Sequence, residues 1–117
     1  MKPTRFYSNL QEKQVAKAVG GKKTANSGAT DFIKGDVLTE QFLLECKTCT
    51  DIRKSFTIQS NWIKKNQEEA FAMGKPYSAL VFNFEPNGEN HYVINEKLFK
   101  KLVNYLREEE NYGNQNV

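Results

Sequence analysis

The chain has 117 residues, enough for one domain with a real core and too few for a second. Apolar residues at 38% and charged residues at 26% argue against disorder, and no apolar run is long enough to span a bilayer. A net charge of +3 permits a nucleic-acid partner without requiring one. The expectation is therefore a single soluble domain over residues 1–117, cytoplasmic, with no membrane partner and no nucleotide cofactor.

Taken in chain order, Ser8-Asn9-Leu10-Gln11 fits a capping box, which predicts a helix opening there and stopping at Gly20-Gly21. Glu12, Val15, Ala16 and Val19 fall at i, i+3, i+4 and i+7, so an acid heads the inward stripe. Two readings stay open for Glu12: a site carboxylate, or an edge carboxylate that reaches solvent from the first turn. Residues 21–30 read as a polar loop. Lys22, Lys23, Ser27 and Gly28 suit phosphate contact or simple solvation.

Residues 34–48 carry the densest signal. Read as two strands joined at residues 39–41, they bring Asp36 beside Glu45. Side chains alternate along a strand, so Leu43, Glu45 and Lys47 share one face and Phe42, Leu44 and Cys46 the other. Two converging carboxylates suit a hard, oxygen-seeking cation, Mg²⁺ above all. A neighbouring lysine suits charge developing on a phosphate. The Cys46-Lys47-Thr48-Cys49 spacing lacks a second cysteine pair, which leaves a zinc site incomplete. Cys46 reads as a small buried hydrophobe.

Arg53 and Lys54 lie in a turn, and Ser55-Phe56-Thr57-Ile58 reads as a short third strand. A helix follows over residues 60–73, stopped by Gly74 and Pro76, with Trp62, Ile63, Asn66, Ala70 and Met73 as its core face. Lys64 and Lys65 lie on its polar side. Residues 77–84 are nearly all apolar or aromatic and read as a buried strand. Residues 91–94 form a further strand, with His91 at its start. Asn95 caps a last helix whose core stripe is Leu98, Phe99, Leu102, Val103 and Leu106, ahead of a polar tail expected to fray from about residue 109. The order is α-β-β-β-α-β-β-α, a mixed sheet flanked by helices.

An aspartate followed nine residues later by Glu-x-Lys is weak evidence alone. Here the motif lies in an apolar strand, faces an acid on its partner strand, and follows a helix with an inward acid. In these features the sequence resembles the PD-(D/E)XK nuclease superfamily, and within it the small Holliday junction resolvases of archaeal and phage type. The residues that carry the likeness are Glu12, Ser27-Gly28, Gly35-Asp36 and Glu45-Cys46-Lys47, within a stretch from residue 8 to 84. Gly35 stands where the superfamily name has proline. The resemblance implies a restriction-endonuclease-like αβββαβ core with an extra C-terminal strand and helix. It implies Mg²⁺ or Mn²⁺ held by Asp36, Glu45 and the main-chain carbonyl of Cys46, with Glu12 as a further ligand and Lys47 acting on the attacking water or the phosphate. The implied activity is a metal-dependent endodeoxyribonuclease that resolves four-way junctions, working in a host cytoplasm if phage-encoded. Paired symmetric incisions call for a homodimer. Lys22, Lys23, Ser27, Arg53, Lys54, Lys64 and Lys65 would contact phosphates. Another nuclease of the same fold, or a non-catalytic DNA-binding protein, is the alternative.

Overall fold

The computed structural model describes residues 4–24 and 36–115. It is an α/β arrangement of three helices and a five-stranded mixed sheet: α1 (Thr4–Val19), β1 (Lys22–Lys23), β2 (Asp36–Leu38), β3 (Phe42–Lys47), α2 (Ser60–Ala72), β4 (Tyr77–Phe82), β5 (His91–Val93) and α3 (Glu96–Gln115). The strands lie in the order β1-β2-β3-β4-β5. All neighbours are antiparallel except β3 and β4, which run parallel with α2 as the crossover.

The β2–β3 hairpin forms because Thr39 punctuates it. Its hydroxyl accepts the backbone N–H groups of Gln41 (3.2 Å) and Phe42 (2.9 Å), a local bond that turns the chain without glycine. Lys75 donates to the carbonyls of Thr39 and Glu40 and holds the tip against the start of β4. The register is the expected one, Asp36 opposite Glu45 and Val37 opposite Leu44. Alternation then sorts the side chains. Val37, Leu44, Ala79 and Val81 join Val15 of α1 in one core cluster, with Cys46 packed against it. Leu43 and Leu80 are buried on the opposite face, beneath α2. Burial of each such aliphatic side chain contributes about 1.5–3 kcal/mol.

The helix stops behave as read. Gly20 and Gly74 both take the left-handed conformation, φ 67° and 71°, which ends α1 and α2 at little steric cost. Asn95 caps α3, its Oδ1 accepting the N–H of Leu98 at 2.9 Å. Gly21 serves a different need. A Cβ there would stand 2.7 Å from the Leu38 carbonyl oxygen, so the absence of a side chain lets β1 close on β2.

Several expectations need correction. There is no capping box at Ser8: α1 already runs from Thr4, and the Ser8 hydroxyl donates to the Arg5 carbonyl inside the helix. Residues 55–58 take no regular secondary structure and pair with no strand among the described residues. The additional strand is instead Lys22–Lys23, expected as loop, at the sheet edge. Lysines are common on edges because they discourage pairing with another chain. Thirdly, Met73 of the α2 core face is 36% exposed and Trp62 and Ile63 are only half-buried, while the helix buries Asn66, Glu69 and Ala70. Lastly, only Leu98 of the α3 stripe is buried; Phe99, Leu102 and Leu106 face solvent. An amphipathic pattern sets a helix's apolar face but not what covers it. α3 also continues to Gln115, through the segment expected to fray. Among the described residues, no helix is long and apolar enough to cross a membrane.

Candidate functional site

Four carboxylates gather where β2 and β3 meet the two flanking helices. Asp36 and Glu45 come from the paired strands, Glu12 from α1 and Glu69 from α2. Asp36 is 2% exposed and Glu12 3%, and burial of this kind disfavours the ionised form. Three of the four have a lysine nearby: Lys23 at 3.9 Å from Glu12, Lys47 at 3.9 Å from Glu45, and Lys65 at 3.8 Å from Glu69. Asp36 has none within 4 Å among the described residues. Burial, and then repulsion from Glu45, Glu69 and Glu12, pushes its pKa up to about 8, with Lys47 opposing. Burial also raises Glu12, against the pull of Lys23, and Glu69, against that of Lys65. The site is one positive charge short, and the shortfall sits at Asp36.

Hydrogen bonding points to the same place. Asp36 Oδ1, Glu45 Oε2 and Glu69 Oε1 are buried without a hydrogen-bond partner. Buried polar atoms are nearly always satisfied; the Glu69 oxygen at least faces Lys65 at 3.8 Å, so the Asp36 and Glu45 oxygens are the two that leave room for a ligand. Among the described residues no three His, Cys, Asp or Glu side chains stand close enough to enclose an ion. Mg²⁺ does not require such a cage. It is commonly held by one or two carboxylates, keeps several waters, and takes its remaining ligands from substrate phosphate. The Asp36–Glu45 pair fits that donor set.

Lys47 is well placed to act on a substrate. Its Nζ lies 3.9 Å from Glu45 and 4.4 Å from the centre of the Trp62 ring, so a carboxylate and an aromatic face hold it in position. Its side chain is still 31% exposed. Trp62 is thus neither plain core nor an open stacking platform: it packs on Phe56 at 6.4 Å and shelves the lysine. Cys46 is the spacer between Glu45 and Lys47, its thiol facing the core. Both cysteines are free, and burial raises both thiols, which leaves them poor nucleophiles.

Two site residues escaped the sequence reading. Glu69 was masked by its exposed neighbour Glu68, although Asn66, Glu69 and Ala70 keep helical spacing. Gln11 is 1% exposed, and its amide donates to the main-chain carbonyl of Lys47 at 2.8 Å, and to Val81 O (3.5 Å) and Asn90 Oδ1 (3.3 Å). It ties α1 to the ends of β3 and β4, directly behind Lys47. Gln11→Ala is expected to cost about 2–4 kcal/mol, from an unsatisfied carbonyl plus a cavity, measured by urea unfolding. A cost under about 0.5 kcal/mol would remove it as a structural tether.

The expected phosphate-binding residues fare unevenly. Lys23 is engaged with Glu12 and also donates to Asn9 at 2.9 Å, while Lys22 is exposed on β1. Arg53 pairs with Asp51 at 3.1 Å, Lys65 with Glu69, and Lys54 and Lys64 are exposed. Ser27, Gly28 and Gly35 lie outside the described residues. His91 is exposed at the start of β5, against the rings of Phe82 and Phe84. No protein-family model, curated protein or solved structure matches the chain.

Proposed function

We propose that this chain is a metal-dependent endonuclease acting on DNA, of restriction-endonuclease-like fold, with the four-way junction as its substrate. The observation that carries this reading is the Asp36–Glu45 pair: in register on adjacent strands, each with a buried orphan oxygen, Asp36 without a counter-ion and Glu45 beside Lys47. The junction as substrate rests on the resemblance of residues 12, 27–28, 35–36 and 45–47 to resolvases.

Asp36 and Glu45 would hold Mg²⁺ or Mn²⁺, with the Cys46 carbonyl and Glu12 as further donors. The ion, when bound, neutralises phosphate charge and makes water more acidic. The chain's own residues supply the rest. Lys47, steadied by Glu45 and Trp62, offers a cation to the oxygens of the scissile phosphate, where negative charge grows during in-line attack. Gln11 fixes the backbone beneath that lysine. Exposed Lys22, Lys54 and Lys64 contribute sequence-independent phosphate contacts.

The test is cleavage of a synthetic four-way junction beside flap, nicked and linear duplexes, in Mg²⁺ and in EDTA. Paired symmetric incisions of the junction are expected, abolished by EDTA, with Lys47→Met slower by roughly 10²–10³. Tight junction binding without metal-dependent cutting would instead identify a non-catalytic DNA-binding protein. Preference for flaps or nicks would assign a different nuclease.

A further inference from the structure

α3 is weakly integrated into the fold. Beyond buried Leu98 and half-buried Val103, it turns Phe99, Leu102, Tyr105 and Leu106 outward, at 57, 45, 60 and 56% exposure. Together these present on the order of 400 Å² of largely apolar surface, as large as the biggest patch on many monomers. The spacing from 98/99 through 102 to 105/106 makes them one continuous stripe. Beneath its first half opens a groove of about 570 Å³, lined by Val19, Phe42, Tyr92, Ile94, Leu98 and Leu102. The stripe and the groove form one apolar surface.

The charges on α3 say what could cover it. Its first half carries Lys97, Lys100 and Lys101 with a single acid, Glu96. Its second half carries Glu108, Glu109 and Glu110 with a single base, Arg107. All eight are exposed. This is the reverse of what the helix dipole favours, acids at the N-terminus and bases at the C-terminus. The pattern is unfavourable for the isolated helix and favourable against a helix of opposite charge order running the other way. Such a helix is α3 itself, turned about a two-fold axis.

We infer that the occupant is a second copy of this chain, with the two α3 helices packed antiparallel. Each basic half then meets an acidic half, the apolar stripe meets itself, and the partner's second half lies over the groove. A parallel pair would set lysine on lysine and glutamate on glutamate. The contact is isologous, so it closes at two copies. The stripe alone supplies about half of the roughly 800 Å² per partner of a standard stable interface, and the groove adds to it. The inference stands independently of the hydrolytic reading.

Light scattering on the eluting full chain at about 20 µM, a concentration at which a standard interface is saturated, tests it. The expected mass is twice the chain's 13.5 kDa. Leu102→Asp with Leu106→Asp should weaken dimerisation by roughly 100-fold or more. Both positions are already exposed, so circular dichroism should show the fold retained. Orientation is read by oxidative crosslinking against the parent's background: Lys100→Cys mixed with Glu108→Cys should crosslink faster than either variant with itself. A monomeric parent, or a dimer that survives the double aspartate variant, overturns the proposal. Dominant self-crosslinking overturns the antiparallel arrangement.

Discussion

Asp36→Asn is expected to abolish metal-dependent cleavage and, in the same protein, to raise thermal stability at pH 8 in the absence of metal. The two effects share a cause. In the folded chain Asp36 holds its proton up to a pKa of about 8, whereas the unfolded chain releases it near 3.8. The native state therefore binds more protons than the unfolded state between those values, and stability falls as pH rises from about 4 to 8. A shift of this size corresponds to a ceiling of about 6 kcal/mol, at 1.36 kcal/mol per pKa unit. The amide carries no charge and escapes that penalty, but its N–H groups need partners in the same buried place. A net gain of about 1–3 kcal/mol remains at pH 8, or roughly 4–12 °C in the unfolding midpoint for a chain of this size. The gain should shrink toward pH 4. Cleavage should fall by roughly 10³ or more, since the amide cannot replace an anionic ligand. A variant less stable than its parent at pH 8 would mean that the Asp36 carboxylate is satisfied as it stands. Retained cleavage would remove Asp36 from the site.

That trade, stability given up at one aspartate, separates what the sequence made legible from what it did not. The hairpin register could be read because Thr39 turns the chain and the alternation of residues 42–47 leaves one way to bury Leu44. Gly20, Gly74 and Asn95 mark helix ends through backbone requirements that few other residues meet. The sheet edge was illegible. Two lysines carry no apolar alternation, and Lys22–Lys23 became a strand only because Gly21 lets the backbone approach Leu38. Ser55-Phe56-Thr57-Ile58 alternates properly, yet Phe56 spends its apolar surface on Trp62 and Phe82 instead of entering the sheet. One strand was gained and one lost, so the expected element order survives for a partly different reason. In the site, Asp36, Glu45 and Lys47 were legible from strand geometry. Gln11 and Glu69 were not, because a buried amide and a buried acid on polar helices look like solvated residues until the surrounding elements close over them.

Magnesium should stabilise the folded chain strongly at pH 8.5 and weakly at pH 6. An ion bound through Asp36 needs the carboxylate, and below pH 8 that carboxylate is mostly protonated. Each ion bound then displaces about one proton, so apparent affinity should fall about tenfold per pH unit below 8. From pH 8 to 6 this removes about 2.7 kcal/mol of the stabilisation seen at a fixed saturating concentration. Thermal unfolding with and without Mg²⁺ across this range measures the effect. Titration calorimetry at pH 6.5, in buffers of different ionisation enthalpy, should count close to one proton released. Asp36→Asn should abolish both the stabilisation and the proton release. Stabilisation by Mg²⁺ that is independent of pH, or that survives in the variant, would place the ion elsewhere. On the proposed reading, a proton on Asp36 would relieve the repulsion among the buried acids before an ion binds, and a divalent ion held by Asp36 and Glu45 would take over that role.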